Sequence, residues 1–432
     1  MKARYRYRIY PTNQQKRLMS QLFGCCRVVF NDALAYCQDQ HRAGNKKPSS
    51  SELSKRLTEL KKTEEKEWLT EVSSVPLQQS LRDLEQAYSN FFKSCKGQRK
   101  GKKVKPPRFK KRKSKQSARF TDNGFKLYPD SHYIHLAKIG DINVIWSREL
   151  PAIPSSVTLI KDSADRYFVS FVVEFNPKQL LKNGQSVGID LGITDFATLS
   201  NGEKVKSPKP LKKQLKRLKK LQRNLSRKQK GSKRREIARK KLAKLHVKIS
   251  DTRNDFLHEL STKIIRENQT IVLEDLNVSG MIKNRKLSRA ISDLGWRSFR
   301  TMLEAKSVMY GRDFQVIERW IPTSQICSCC GFHSGKKELN IREWICLNCG
   351  TSHDRDVNAA VNILACTEPH STPLMAGFDC VQENPGRIVA GGLSETLNGR
   401  GGRHKTTAKV AVASEASTHP AFQQLSIFDL LK

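Results

Sequence analysis

The stretch Gly188-Ile189-Asp190-Leu191-Gly192 constrains the fold of this chain more than any other feature of its sequence. Its apolar residues alternate with glycines and one acid, and a second apolar run follows at residues 196–199. This pattern predicts a buried strand, a turn and a second strand. The Asp190 carboxylate would then lie among apolar neighbours, where an unpaired charge costs roughly several kcal/mol. Asp190 therefore either caps a turn or is compensated by a cation such as a metal ion.

Two further acids lie at the ends of predicted elements elsewhere in the chain. Residues 271–276 form an apolar run that ends in acid, which predicts a second buried strand with Glu274 at its end. Asp356 lies at a predicted helix start, because apolar residues follow it at helical spacing. Carboxylates on two strands and one helix N-terminus can converge and hold two Mg²⁺ ions about 3.5–4 Å apart, the arrangement for in-line phosphodiester hydrolysis. Asp190, Glu274 and Asp356 are therefore the candidate catalytic residues and magnesium ligands.

The charge of the chain indicates a polyanionic partner. Its 80 Lys and Arg residues against 41 Asp and Glu give a formal net charge of +39. Such an excess is unfavourable through self-repulsion unless a polyanion neutralises it, and nucleic acid is the usual one. No run of about eighteen apolar residues predicts a membrane span, and the residues after Met1 lack the apolar segment of a signal peptide. We therefore expect a cytoplasmic, nucleoid-associated protein with no membrane partner and no small-molecule substrate.

Two Cys-x-x-Cys-Gly motifs, at residues 327–331 and 346–350, predict a metal site. Two such pairs at this separation suit one structural Zn²⁺ bound tetrahedrally by four thiolates, and a fully bound zinc has no open position for catalysis. The predicted ligands are Cys327, Cys330, Cys346 and Cys349. Cys329 is an extra thiol with the wrong spacing for the usual turn, and His353 is expected to begin a helix rather than to bind the metal.

The chain before residue 176 predicts an antiparallel β structure and a group of helices. Residues 4–10 alternate charged and aromatic side chains, and six short alternating segments divided by turn sequences lie at 117–175. Strands of this number and spacing predict a small antiparallel barrel of the kind that often binds oligonucleotides, and the first strand could join it. Helices between residues 13 and 92 would then form a separate lobe, and the basic run at 93–119 is expected to contact nucleic acid.

The second half of the chain alternates strands and helices. A long helical pair at residues 211–267 follows the two strands around Asp190, and a helix at 293–310 separates the Glu274 strand from a strand at 314–320. This β-β-α-β-α-β-α order, with acids on the first strand, a middle strand and a late helix, is the layout of an RNase H-like nuclease core. The expected fold class is therefore α/β plus a β-barrel.

Further motifs along the chain match those of a known family. Besides the acidic and cysteine motifs, they are Arg8-Ile9-Tyr10-Pro11-Thr12, Phe23-Gly24-Cys25-Cys26-Arg27, Leu245-His246-Val247-Lys248-Ile249, Asp255-Phe256-Leu257-His258 and Thr323-Ser324-Gln325-Ile326-Cys327. With these motifs in order, the sequence resembles the OrfB/TnpB proteins, transposon-encoded relatives of the type V CRISPR effectors. Matching the family's acidic triad onto this chain gives Asp190, Glu274 and Asp356. Asp356 is preferred to Asp354 because it occupies the Asp-x-Asn position of the motif.

The resemblance implies an RNA-guided DNA endonuclease, encoded by a transposable element, with a RuvC-like active site that uses Mg²⁺. Its partners would be a guide RNA from the transposon end and double-stranded target DNA, with base pairing between guide and target strand reading the sequence. The implied parts are a wedge-like β-barrel (1–10 and 117–175), a helical recognition lobe with a basic linker (11–116), a RuvC-like nuclease core (183–321 and 351–366) and an inserted zinc ribbon (322–350). Residues 367–432 show no sustained period, and their composition indicates a disordered tail.

Two other functions remain open on the sequence. A catalytically silent RNA- or DNA-binding regulator would have the same positive charge, but the presence of all three acids argues against it. A transposase that acts on the element ends would need a strand-transfer nucleophile or a set of end-recognition parts, and no feature of the sequence demands either.

Overall fold

The structure is a computed structural model that describes residues 1–99, 101–112, 115–128, 131–177, 179–338 and 340–366. The predicted disordered tail at residues 367–432 lies outside the described residues. Among the described helices, none has both the length and the apolar composition that crossing a membrane requires.

The chain begins with a strand followed by three helices. These elements are β1 (Lys2–Tyr10), α1 (Asn13–Arg42), α2 (Ser50–Leu60) and α3 (Ser74–Cys95). A capping box starts α1: the Thr12 hydroxyl accepts a hydrogen bond from the Gln15 amide, and the Gln15 side chain accepts one from the Thr12 amide. A second capping box, formed by Ser49 and Glu52, starts α2. Local sequence therefore fixes where both helices begin.

Seven strands form one barrel-like antiparallel sheet, as the alternating segments predict. The strands after β1 are β2 (Gln116–Thr121), β3 (Phe125–Leu127), β4 (Tyr133–Leu136), β5 (Gly140–Ile145), β6 (Pro154–Lys161) and β7 (Tyr167–Glu174). Their order is β2-β6-β7-β1-β5-β4-β3, and every neighbouring pair is antiparallel. Arg8 of β1 lies opposite Phe168 of β7 on one side and Ile145 of β5 on the other. The first strand of the chain thus lies in the middle of the sheet.

One hydrophobic core joins this sheet to the helices. Tyr7 of β1 is 1% exposed, and it belongs to a buried cluster that also contains Met19 of α1, Leu84 of α3 and Phe120 and Phe171 of the sheet. The apolar stripes of α1 and α3 are therefore covered by the sheet, and the helices share its core. The sequence does not predict this shared core, because the period of a helix does not show which partner covers it.

The second sheet is mixed and contains both acid-bearing strands. Its strands are β8 (Ser186–Asp190), β9 (Ala197–Leu199), β10 (Lys204–Val205), β11 (Thr270–Glu274) and β12 (Asp313–Ile317). Their order is β10-β9-β8-β11-β12; β8, β11 and β12 are parallel, whereas β9 and β10 are antiparallel to their neighbours. The sequence does not predict β10, because two residues are too short to show a period.

Helices cover both faces of this mixed sheet. The remaining elements are α4 (Pro210–Ser226), α5 (Lys233–Glu267), α6 (Val278–Met281), α7 (Ser288–Leu294), α8 (Trp296–Tyr310), β13 (Glu343–Ile345), β14 (Ser352–Asp354) and α9 (Arg355–Ala365). On one face, Leu273 belongs to a buried cluster with Leu257 of α5 and Phe299 of α8. On the other face, Val272 belongs to a cluster with Ile363 of α9. Side chains therefore alternate along β11 between the α5–α8 face and the α9 face.

The helix predicted at residues 293–310 begins at Trp296, as α8, and Gly295 splits it from a separate preceding helix, α7. Gly295 lies between them with a φ of +78°, a conformation that glycine adopts without a steric penalty. The break places the buried Asp293 at the start of α4, where its carboxylate accepts hydrogen bonds of 3.0 Å from the amides of Leu211 and Lys212. Arg253 also forms a 3.1 Å ion pair with Asp293. The split therefore allows a buried acid to satisfy the N-terminus of a strongly basic helix.

Gly188 of β8 is a point of close approach between the mixed sheet and α9. A methyl group there would lie 2.1 Å from the carbonyl oxygen of Ala360 and 2.7 Å from the amide nitrogen of Leu364. We therefore expect Gly188→Ala to lower the free energy of unfolding by about 3 kcal/mol, because backbone must move to admit the side chain. The matched control is Gly24→Ala in α1, where a methyl group would meet no atom within 4 Å.

Chemical denaturation of both glycine variants measures this difference. Gly24→Ala should raise the free energy of unfolding by about 0.5–1 kcal/mol, since alanine is the better helix former. An unchanged unfolding midpoint for Gly188→Ala would contradict the close packing of α9 on β8.

Candidate active site and metal centre

Asp190 and Glu274 end two neighbouring parallel strands. β8 and β11 pair so that Ile189 lies opposite Leu273, and the next residues, Asp190 and Glu274, therefore lie side by side at the carboxyl edge of the sheet. Ile189 and Leu273 belong to the buried cluster on the α5–α8 face. Because successive side chains of a strand point to opposite faces, both carboxyl groups point to the α9 face.

Asp356 approaches the same edge from the first turn of α9. Asp354 is the N-cap of this helix, and its carboxylate accepts hydrogen bonds of 3.0 Å from the amides of Asp356 and Val357. Asp354 also forms a 2.6 Å ion pair with Lys204 of β10. The Asp354 side chain is thus used for capping, whereas the Asp356 side chain takes no part in the cap.

Burial and neighbouring charges shift the pKa values of Asp190 and Glu274. Burial raises the pKa of Asp190 well above its ordinary value, and the negative charges of Glu274 and Asp356 raise it further. Burial likewise raises the pKa of Glu274 to about 7, although the Leu191 amide donates a 3.2 Å hydrogen bond to its carboxylate. Like charges in a buried site are unfavourable unless a cation joins them. The oxygen ligands and the negative charge therefore suit a hard divalent cation such as Mg²⁺.

Asp356 is bound by an arginine. Nη1 of Arg342, which lies between the two cysteine motifs, is 3.0 Å from each carboxylate oxygen of Asp356. In the described part of the chain, the only group of three or more potential metal ligands whose atoms all lie within 4.8 Å of one another is the four-cysteine cluster. Asp190, Glu274 and Asp356 therefore do not form such a group in this structure, and an ion shared by all three would have to replace Arg342 at Asp356. Sequence reasoning missed Arg342, since one arginine among 80 basic residues gives no signal of its own.

Without bound magnesium, the native protein should be less stable at neutral pH than its Asp190→Asn variant. A carboxyl group whose pKa is raised by folding favours the native state while it is protonated. For Glu274 this contribution is present near pH 4.5 and is lost as the pH rises through about 7. Asp190→Asn replaces one of two buried acids that share the site by a neutral amide, so we expect the variant to be roughly 1–3 kcal/mol more stable at pH 7.5, with a smaller difference at pH 5.

Denaturant titrations in magnesium-free buffer at the two pH values measure this stability difference. A variant that is less stable than the native protein at pH 7.5 would contradict the electrostatic account of the acid site.

The four predicted zinc ligands come together in the structure. Sγ of Cys327 is 3.7 Å from Sγ of Cys349, and Sγ of Cys330 is 3.6 Å from Sγ of Cys346. All four Sγ atoms lie within 4.8 Å of one another, and thiolates bound tetrahedrally at about 2.3 Å from zinc would be about 3.8 Å apart. Cys329 is exposed and does not belong to this group. The four-cysteine cluster could therefore hold a zinc ion.

His353 contacts this cluster and does not begin a helix. It lies on β14, and its buried ring places Nε2 3.0 Å from Sγ of Cys327. Its ring also lies against Trp344, with the ring centroids 4.8 Å apart. The expectation of a helix start is wrong because Trp344 and His353 pair across β13 and β14, which delays α9 until Arg355.

Two buried asparagines connect the first cysteine motif to the helix that carries Asp356. Asn358 and Asn362 lie one turn apart on α9, and each is 2% exposed. Their side-chain amides donate hydrogen bonds of 2.7 and 2.8 Å to the carbonyl of Ile326, and the Asn358 side chain accepts one of 2.9 Å from the Ser328 amide. Polar residues four apart within an apolar helix face are a signal that could have identified them. These hydrogen bonds attach α9 to the segment at the first cysteine motif. A well-ordered motif therefore helps to fix the position of Asp356, which lies on the same helix.

Three family profiles match parts of the chain. The profile described as "Probable transposase" (OrfB_IS605) matches residues 170–285. The profile described as "Cas12f1-like, TNB domain" matches residues 296–363, and a "Helix-turn-helix domain" profile (HTH_OrfB_IS605) matches residues 1–46. Among solved structures, a Cas12f1–sgRNA–target DNA complex aligns with 84% of this chain and 98% of its own chain, at 13% identity and a TM-score of 0.47.

Relatives match nearly the whole chain in sequence. A protein of Streptomyces pristinaespiralis that is named an RNA-guided DNA endonuclease is 45% identical over 410 residues, which are 90% of this chain and 98% of the relative. InsQ of Escherichia coli (strain K12), named in the same way, is 34% identical over 84% of this chain and 91% of its own length. The resemblance inferred from the motifs is confirmed, and the chain belongs to the transposon-associated OrfB/TnpB family.

Proposed function

We propose that this protein is a Mg²⁺-dependent, RNA-guided DNA endonuclease encoded by a transposable element. The observation that carries the proposal is the pair of buried carboxyl groups, Asp190 and Glu274, at the edge of two parallel strands, with the charge of Asp356 acting on the same site. Relatives that are named RNA-guided DNA endonucleases and that match over 98% and 91% of their lengths support the same function.

Asp190, Glu274 and Asp356 would hold two Mg²⁺ ions in this site. Bound there, the ions supply water activation and stabilisation of the leaving oxygen in phosphodiester hydrolysis. The Leu191 amide orients the Glu274 carboxylate through its 3.2 Å hydrogen bond. Arg342 holds the Asp356 carboxylate while no cation competes for it. Burial keeps competing water away from Asp190, which strengthens its interaction with a cation.

Cys327, Cys330, Cys346 and Cys349 would bind one structural Zn²⁺ in a zinc ribbon at residues 322–350. The distances between their Sγ atoms fit a tetrahedral ion, and four thiolates leave no position open for chemistry. Through Asn358 and Asn362, the same ion would help to order the helix that presents Asp356.

The two sheets support a division of the chain into parts with different functions. The mixed sheet with its acids fits an RNase H-like, RuvC-like nuclease core at residues 183–321 and 351–366. The antiparallel sheet, at 1–10 and 117–175, would be the wedge-like barrel, and the helices and basic run at 11–116 the recognition lobe. Guide RNA from the transposon end and double-stranded target DNA would neutralise the net charge of +39. We expect this activity in the cytoplasm, at the nucleoid.

Sequencing the RNA that co-purifies with the native protein tests the proposed function. We expect one discrete species with a constant scaffold and a variable end, because a guide must combine a part bound by the protein with a part that pairs with the target. A random sample of cellular RNA would contradict guided recognition and would favour a nonspecific nucleic-acid-binding regulator.

A transposase that acts on the element ends is a second candidate, and the description of the family profile at residues 170–285 favours it. It predicts joining of purified element ends to a target DNA in vitro. Cleavage at a site chosen by the RNA, without strand joining, would exclude it in favour of the guided endonuclease.

A further inference from the structure

A cavity of about 390 Å³ opens at the carboxyl end of β11, on the α8 side of the mixed sheet; Glu274 lines it and Asp190 does not. Leu191 and Glu274 form one part of its wall, and Asp275, Arg300 and Arg319 form another. Arg300 comes from α8, and Arg319 follows β12 in the chain. The cavity therefore begins at a proposed metal ligand and extends to a pair of guanidinium groups.

Asp275 holds both of these arginines in place. Arg300 donates through Nη1 to one carboxylate oxygen of Asp275, and Arg319 donates through Nη2 to the other. Arg319 also donates through Nε to the Asp275 carbonyl at 3.1 Å. The side chains of Arg300 and Arg319 are nevertheless 39% and 40% exposed. Because a guanidinium has five N–H groups, these contacts orient the two arginines and leave donors for a ligand in the cavity.

The charge in the cavity favours an anion once the acidic site holds its cations. The lining contains three arginines and three acids, so its formal charges balance. Asp275 is shared between two arginines, and the charge of Glu274 would be neutralised by bound Mg²⁺. The net charge of the remaining groups in the lining is positive. The guanidinium groups of the arginines also offer planar, paired N–H donors, which match two oxygens of a phosphodiester.

We propose that Arg300 and Arg319, oriented by Asp275, bind a backbone phosphate of the cleaved DNA strand next to the scissile bond. This inference rests on the proposed nuclease function and adds a substrate-binding subsite to it. The contact is independent of base sequence, since phosphate oxygens carry no sequence information. Its role is to position the strand so that the neighbouring phosphodiester lies at Asp190, Glu274 and Asp356.

Single-turnover cleavage of DNA with one uncharged methylphosphonate tests the proposal. The substitution is moved one phosphate at a time along the cleaved strand on both sides of the scissile bond. With the native protein, one flanking position should slow cleavage about tenfold or more, since a charge-assisted hydrogen-bond pair is lost. Arg300→Gln and Arg319→Gln should each cut unmodified DNA about tenfold more slowly. In these variants the same methylphosphonate should cause less than about a threefold further loss, because its partner is already gone.

Arg285→Gln is the matched control, because Arg285 is exposed on the turn between α6 and α7 and does not line the cavity. It should keep the full methylphosphonate effect. Each comparison is the ratio of the cleavage rates of two DNAs by the same protein. A lower folded fraction in a variant reduces both rates equally and therefore does not change the ratio.

Equal methylphosphonate effects in the native protein and in both cavity variants, at every position, would overturn the phosphate subsite even if the variants were slower overall. A native protein that leaves unmodified DNA uncut in the presence of its RNA and Mg²⁺ would overturn the nuclease function itself, and the subsite with it. The assay of the native protein on unmodified DNA therefore tests the nuclease function first, and the variants then test the phosphate subsite.

Discussion

Asp190→Asn should lower the rate of target-DNA cleavage by at least about 10³-fold. The substitution replaces a charged oxygen ligand by a neutral amide of nearly the same shape, at the residue on which both other acids act. Metal ions stabilise the transition state of phosphodiester hydrolysis by several kcal/mol, and each 1.36 kcal/mol changes a rate about tenfold. Single-turnover cleavage by the purified protein–RNA complex in Mg²⁺ measures the loss.

RNA binding shows whether the loss of cleavage comes from the missing metal ligand or from unfolding of the protein. We expect Asp190→Asn to co-purify with the same RNA in the same amount as the native protein, because the change removes no packing. Asp122→Asn is the control, since Asp122 is exposed on a turn of the antiparallel sheet; it should cut at the native rate. Undiminished cutting by Asp190→Asn would refute the acid site.

Cys346→Ser should remove the bound zinc and most of the cleavage activity. Zinc held by four thiolates contributes roughly 10 kcal/mol or more to the order of a small metal-binding domain. The hydrogen bonds of Asn358 and Asn362 to Ile326 transmit that order to the helix that carries Asp356. We expect about one Zn²⁺ per native chain, well under half an ion in the variant, and cleavage about 10²-fold slower or more. Elemental analysis and cleavage assays on the same preparation measure both effects.

Cys329→Ser is the matched control for the zinc prediction. Cys329 lies one residue from a predicted ligand, but it is exposed and outside the four-cysteine cluster. This variant should keep both its zinc and its activity. Unchanged zinc in Cys346→Ser would contradict the four-thiolate site, and a zinc-free protein that still cuts at the native rate would contradict the coupling to Asp356.

Local sequence predicts the elements of the candidate site better than their relative positions. β8, β11 and α9 occur where the apolar patterns place them, because each has an uninterrupted period. That Asp190 lies beside Glu274 depends on the pairing of Ile189 with Leu273, two residues far apart in the chain. Such a register is set by the packing of both strands on α5 and α8, which the sequence of either strand alone does not contain.

The differences between prediction and structure arise where tertiary contacts override local pattern. The helix after residue 293 breaks at Gly295, because the buried Asp293 satisfies the amides that begin α4. His353 lies on a strand because it pairs with Trp344 and contacts the cysteine cluster. The ion pair between Arg342 and Asp356 depends on the path of the segment between the cysteine motifs, which spacing alone does not encode.

Guide-dependent cleavage of two plasmids is the most direct measurement of the central claim, that RNA directs DNA hydrolysis at the acid site. Each plasmid carries one of two target sequences, and the protein is loaded with one of two RNAs that differ only in the variable segment. In Mg²⁺, each RNA should direct cutting of its own plasmid alone, and Asp190→Asn should cut neither plasmid. Cutting that ignores the RNA, or equal cutting by Asp190→Asn, would contradict the account.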